Sequence, residues 1–242
     1  MSRSNPNQNN PNPAVKFFEW NGENGVVRYY DKEKKSNVDM PLPFGFLLLD
    51  ELASVRGWHD ASNSGIYSNE VRDTRTDLMV VKAFKGGTLA EGLYRDIKDR
   101  VNAVGGQFNA NCYIAFKQHG ELAIGSIKFK GAALGAWMEF RKDHRSDLYQ
   151  KAISVTSFTE GKKGRIVFRT PTFKLTETSA ETDAAAVKLD KALQAWLDGY
   201  LSRRTEDKAE PHDDVPVDDF DQRVDDDDFA PVDAPDDSEI PF

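Results

Sequence analysis

Cysteine is almost missing from this chain: Cys112 is the only one in 242 residues. An internal disulfide is therefore excluded, and no thiolate cluster can form within the chain. Histidine is scarce too. His59, His119, His144 and His212 fall in no spacing that would hold a metal ion, and the adjacent pair His59-Asp60 has no third ligand at a suitable distance. A phosphate-gripping Gly-x-x-x-x-Gly-Lys-Ser/Thr loop is lacking, since Gly86-Gly87-Thr88 has no lysine before its hydroxyl residue. No apolar run approaches the roughly 18 residues of a membrane span, and the N-terminus lacks the charged-then-apolar pattern of a secretory signal. Together these absences predict a cytoplasmic chain that is not an enzyme and needs no metal, cofactor or membrane.

What the chain does have is charge, unevenly distributed. The net charge is −8, yet residues 206 to 242 hold 16 acidic side chains against Lys208 and Arg223, leaving 30 basic and 24 acidic residues in the rest. A basic body joined to an acidic tail has two electrostatic ends. So polar a tail cannot bury enough surface to offset its ordering entropy and is expected to be disordered. It ends on Asp236-Asp237-Ser238-Glu239-Ile240-Pro241-Phe242, where two bulky apolar residues stand beside the terminal carboxylate. A basic, greasy cleft on another protein could capture such a tip.

Asp236, Asp237, Ile240, Pro241 and Phe242 carry a resemblance to the bacterial and phage single-stranded-DNA-binding proteins, whose acidic tails close on Ile-Pro-Phe. Ser238 and Glu239 stand where the common bacterial tip has further aspartates, so a divergent phage version is the nearer likeness. The resemblance implies sequence-independent binding and protection of single-stranded DNA, with the tip recruiting replication, recombination and repair proteins. A flexible tail of this length reaches roughly 33 Å, enough to fold back on a basic groove and compete with DNA.

Residues 1 to 14 are rich in Asn and Pro and read as a flexible leader. Residues 15 to 205 read as the folded body. Short strands are predicted over Val15–Trp20 and Val26–Tyr30, followed by Lys32, Lys34 and Lys35 as either a solvated turn or a phosphate-contacting edge. Further strands are predicted over Phe46–Gly57, Ile66–Val71 and Leu78–Lys85. Thr88 and Glu91 have the spacing of a helix-opening capping box, and Leu93, Ile97, Val101 and Val104 would form one face of that helix before Gly105-Gly106 stops it. Strands over Asn111–Lys117 and Leu122–Lys130 complete the order of three strands, a helix and two strands. That succession is expected of a five-stranded OB-fold barrel, within a mainly β (α+β) body.

Beyond it, a helix over Ala132–Arg145, a hairpin of Lys151–Phe158 with Arg165–Phe173, and a helix over 181–203 opened by Thr178 and Glu181 are expected. The last helix carries the apolar stripe Leu189, Leu193, Trp196, Leu197, Tyr200 and Leu201, for packing on the body or for a homodimer contact.

Single-stranded DNA is held without sequence readout by cations for its phosphates and flat rings for its bases. The candidates are Arg56 and Trp58 around Gly57, then Tyr67, Arg72 and Arg75, then Lys82 and Lys85. Tyr113 and Lys117 follow on one strand, and Lys128 and Lys130 at alternate positions of the next. Trp58 and Tyr113 are each either ring platforms or core residues, while Phe84, Phe116 and Phe129 are assigned to the core. Other readings of the same pattern are an acidic adaptor or DNA mimic, and a strand-annealing recombination protein.

Overall fold

The fold turns on one 16-residue strand, Phe44–His59, which we call β4. The computed structural model describes residues 11–206. In chain order its elements are β1 (Lys16–Asn21), β2 (Val26–Asp31), β3 (Ser36–Met40), β4, β5 (Ser64–Ser68), β6 (Met79–Ala83), β7 (Gly87–Gly92), α1 (Tyr94–Ala103), β8 (Gly106–Gln118), β9 (Glu121–Lys130), α2 (Gly131–Asp143), β10 (Ala152–Lys163), β11 (Ile166–Thr176) and α3 (Ala180–Glu206). β4 pairs antiparallel with β8 from Phe46↔Phe116 to Gly57↔Gly106. Its other edge is divided: Phe44–Phe46 pair with β10, and Arg56–His59 pair with β5.

A register shift between Leu48 and Asp50 inserts one extra residue into β4. A bulge of this kind resets which face each following side chain takes. Phe46 and Leu48 join the core on the α2 side, with Cys112, Ile114, Phe116, Ile127, Phe129, Leu134 and Trp137. Leu47, Leu49 and Leu52 join the opposite core, where Leu193, Trp196, Leu197 and Tyr200 of α3 cover Tyr113, Ala115 and Ile124. The apolar stripe of α3 thus packs on its own body. A third cluster of Val55, Ile66, Val81, Ile97 and Val101 seats α1.

Beyond the bulge, strand alternation sends two adjacent carboxylates to opposite faces, where each holds a helix. Asp50 accepts from Gln194 Nε2 of α3 at 3.0 Å and pairs with Arg72 at 3.1 Å. Glu51 accepts from Trp137 Nε1 of α2 at 3.0 Å and pairs with Arg141. Burial raises the Glu51 pKa, although Arg141 and the Trp137 N–H act to lower it, so the ion pair only partly offsets the desolvation of the carboxylate. Breaking a buried pair from one side costs more than replacing both partners. Arg141 is one-third exposed, so Arg141→Met should destabilise by about 2 kcal/mol, below the fully buried range. Adding Glu51→Gln should restore more than half of that, as read from urea-denaturation midpoints. Beside the pair, Cys112 is fully buried, as expected of a small hydrophobe, and burial followed by the Glu51 charge pushes its thiol well above the usual range.

The described residues form a mainly β, α+β structure with one sheet of eleven strands. Its main path runs β3-β2-β1-β9-β8-β4-β5-β6-β7, with β10 and β11 branching from β4. β1 lies parallel to β9, and β3 and β7 end the path without pairing to each other, so the sheet is open rather than a closed five-stranded ring.

Several local expectations change. Residues 36–40, for which the sequence predicts no element, pair with β2 as a strand. Thr88 and Glu91 do not cap a helix: they lie in β7, opposite Lys82 and Val80, and α1 opens after Leu93 with no side-chain cap. The ladder to β6 supplies backbone partners that a helix start would have left unsatisfied. At α3 the cap is Ser179, not Thr178: its Oγ accepts from the Thr182 N–H at 3.2 Å.

Candidate nucleic-acid interface

Residues directly opposite one another in paired strands point to the same face, and the register therefore assembles one side of the sheet, on which Ser54, Asn109 and Asn111 are buried. Lys82 of β6 lies opposite Tyr67 of β5, and Tyr67 opposite Arg56 of β4. Arg56 lies opposite Gln107, and Ser54 opposite Asn109 of β8. Asn109 and Asn111 face Lys130 and Lys128 of β9, and Lys128 faces Glu19 of β1. Trp58 follows Ser54 and Arg56 at alternate positions on β4, so it shares their side. This face brings together six of the eleven sequence-predicted contacts: Arg56, Trp58, Tyr67, Lys82, Lys128 and Lys130.

Two loops hold the Trp58 end. Gly57 and Gly105 allow the last turn of β4 to approach the α1–β8 turn at backbone contact: a Cβ on Gly57 would strike the Gly105 carbonyl, and one on Gly105 would strike that of Trp58. Gly105 also has φ +88°, which disfavours any side chain. On the other side His59 Nδ1 and Ser62 Oγ are 2.7 Å apart, and Ser62 Oγ lies 2.8 Å from Ser64 Oγ, which accepts from Lys85 N at 3.1 Å. His59 is thus committed to a loop hydrogen bond. The same chain of bonds fixes the β6–β7 turn that carries Phe84.

The sequence expectation places Phe84 in the core. It is instead 44% exposed, with its ring 4.7 Å from that of Tyr67. Tyr67 is buried, at 7% exposure, so Phe84 is the ring this pair offers to a ligand. The signal was available in retrospect: Phe84 precedes Lys85-Gly86-Gly87, and a turn that near ends the strand alternation.

The electrostatics concentrate on Lys128, which is half-buried. Burial, and next the charge of Arg56, lower its pKa to about 8 against the opposing pull of Glu19 and Glu70, and Lys130 lowers it further. Glu19 is itself engaged by Arg28 at 2.6 Å, and Glu70 Oε1 accepts from Asn111 Nδ2 at 2.6 Å. The patch is therefore positive at neutral pH and strained by its own like charges.

The remaining predicted contacts lie elsewhere. Tyr113 is 2% exposed beneath Trp196, 6.1 Å between rings, and is a core residue. Arg72 joins Asp50 and Gln194, at 3.1 and 2.7 Å, and so tethers the β5–β6 connection to α3. Arg75 closes on Asp73 within its own turn. Lys117 is exposed at the far end of β8, opposite Leu122. Lys85 is exposed on the rim next to Phe84. The tip residues Asp236, Asp237, Ile240, Pro241 and Phe242 lie outside the described residues. Among the described residues no cluster of three potential metal-ligating side chains occurs, and no helix is long and apolar enough to cross a membrane. Comparison with protein-family models, with curated proteins and with solved structures yields no match to this chain.

Proposed function

We propose that this protein binds single-stranded DNA without sequence readout, covering exposed strands in replication, recombination and repair. The observation that carries the proposal is that Arg56, Lys82, Lys128 and Lys130 lie on the same side of the sheet as Trp58 and the Tyr67–Phe84 ring pair. Cations for phosphates beside flat rings for bases are the two devices such binding requires. The order β4-β5-β6-α1-β8-β9 supports reading the sheet as an opened OB-type barrel, with β7 added and β1–β3 extending from β9. A face on strands β4 to β6 then lies where OB domains meet oligonucleotides.

In this reading the body acts without catalysis or a cofactor. It shields the strand from nucleases and melts hairpins because it takes up only unpaired DNA. The acidic segment, with Asp236, Asp237, Ile240, Pro241 and Phe242, recruits partner proteins and competes with DNA for the cationic face.

The test is a tryptophan-fluorescence titration with poly(dT) and with duplex DNA at two salt concentrations. Quenching by poly(dT), weak response to duplex, and an affinity that falls as salt rises are expected. No quenching by poly(dT) would favour the adaptor or DNA-mimic reading and overturn this one.

A further inference from the structure

On β8, in the middle of the proposed DNA face, stand two asparagines whose side chains are almost completely buried, Asn109 at 1% and Asn111 at 2% exposure. Their donors are committed. Asn111 Nδ2 donates to Ser54 Oγ at 2.8 Å and to Glu70 Oε1 at 2.6 Å, and Asn109 Nδ2 donates to the Gln107 carbonyl at 3.0 Å. These acceptors fix which way each amide points. The Oδ1 atoms of both residues are left buried with no hydrogen-bond donor among the described residues. A buried acceptor without a partner is costly, and native structures rarely keep one without a use for it. Here two occur on one strand, two residues apart and on one face.

The neighbouring groups narrow what could complete them. Lys128 and Lys130 lie directly across from Asn111 and Asn109, and both are long, flexible donors that want an acceptor. A phosphate offers only acceptors, so it would satisfy the lysines and leave the amide oxygens as they are. The Watson–Crick edge of a base with an exocyclic amine offers both: its N–H groups reach an amide oxygen, and its adjacent ring nitrogen or carbonyl takes a lysine.

We propose that Asn109 and Asn111 form a base-edge subsite on the DNA face, selective for nucleobases that carry an exocyclic amino group. This rests on the single-stranded-DNA reading and adds to it: a binder that is indifferent to sequence along most of its track has one position that prefers an amino base over its keto counterpart. Both Oδ1 atoms are covered in the free protein, so the long side chains of Lys128 and Lys130 swing aside to admit the edge and close over the base once it is in place.

The probes are pairs of oligonucleotides that differ in that edge and hardly in stacking: oligo(dC) against oligo(dU), and oligo(dA) against oligo(dI), at pH 7.5 and fixed salt. Full-length protein should bind the amino member of a pair about tenfold more tightly. Asn109→Ala and Asn111→Ala should bring that ratio towards one while the salt dependence, set by the phosphate contacts, stays unchanged. Asn109→Ala gives up only its bond to the Gln107 carbonyl, so it carries the test if Asn111→Ala, which strips Ser54 and Glu70 of their donor, does not fold. Equal affinity within both pairs, with salt-sensitive binding intact, overturns the subsite and leaves the DNA reading standing. Absence of binding to all four oligonucleotides overturns both.

Discussion

Replacing Trp58 by alanine should weaken poly(dT) binding by about 10- to 100-fold, the loss of one base-stacking ring, and abolish the fluorescence response to DNA. The second effect follows from where the other three indoles are. Trp20 is 5% exposed and donates Nε1 to the Arg169 carbonyl at 2.7 Å. Trp137 is fully buried against Phe129 and hydrogen-bonded to Glu51. Trp196 is 6% exposed and stacked on Tyr200. Trp58 alone is half-buried, and it lies on the cationic face. Trp58→Phe keeps a flat ring, so it should hold affinity within a few-fold while still losing the optical signal. The two variants therefore separate the reporter from the contact. Undiminished affinity in Trp58→Ala, measured by anisotropy of a labelled strand, would remove Trp58 from the interface.

DNA affinity should also fall about tenfold between pH 7 and pH 9, a range in which ordinary lysines stay charged. Lys128, with a pKa of about 8, is largely protonated at pH 7 and largely neutral at pH 9. Phosphate favours the charged form, so binding takes up a proton and weakens as pH rises through 8. Arg56 on β4 and Lys130 on β9 oppose that charge, while Glu19 on β1 and Glu70 after β5 support it. Stability runs the other way. The folded pKa is below the free value of 10.5, so the fold disfavours the charged amine below pH 8 and is relieved as pH climbs from 8 towards 10.5. Lys128→Met should lower affinity at pH 7, flatten the pH profile of binding, and raise the urea midpoint at pH 7. A profile as steep in Lys128→Met as in the parent protein would place the titrating group elsewhere.

How much of this face was legible in advance depends on which residues are considered. The alternation of Lys128 and Lys130, and of Arg56 and Trp58 around Gly57, put each pair on one side of its strand, because side chains in a strand repeat with a period of two. Their neighbours across the sheet could not be read that way. Asn109 and Asn111 carry no signal in the sequence, since polar residues in an apolar run say nothing until the register sets Asn109 between Ser54 and Lys130 and Asn111 between Leu52 and Lys128. Tyr113 has the same parity as Asn111, yet α3, which begins 67 residues later, covers it. Phe84 failed in the opposite sense: it is an apolar residue left outside by a turn. The Thr88/Glu91 spacing fitted a capping box, and pairing with β6 outweighed it. Local propensity is a weak prior against a ladder of backbone hydrogen bonds.

The chain's own order of residues was sufficient for the existence of most strands and all three helices, for the basic body and acidic end, and for the expectation of cations interleaved with rings. Those properties are local or compositional: hydrophobic period and charge count need no knowledge of distant neighbours. The extra residue at Leu49, the split edge of β4, the burial of Tyr113 and the gathering of four strands' polar residues around Lys128 were decided only on folding. Each depends on contacts between segments tens of residues apart, and a one-residue shift in register would have turned those same side chains to the other face.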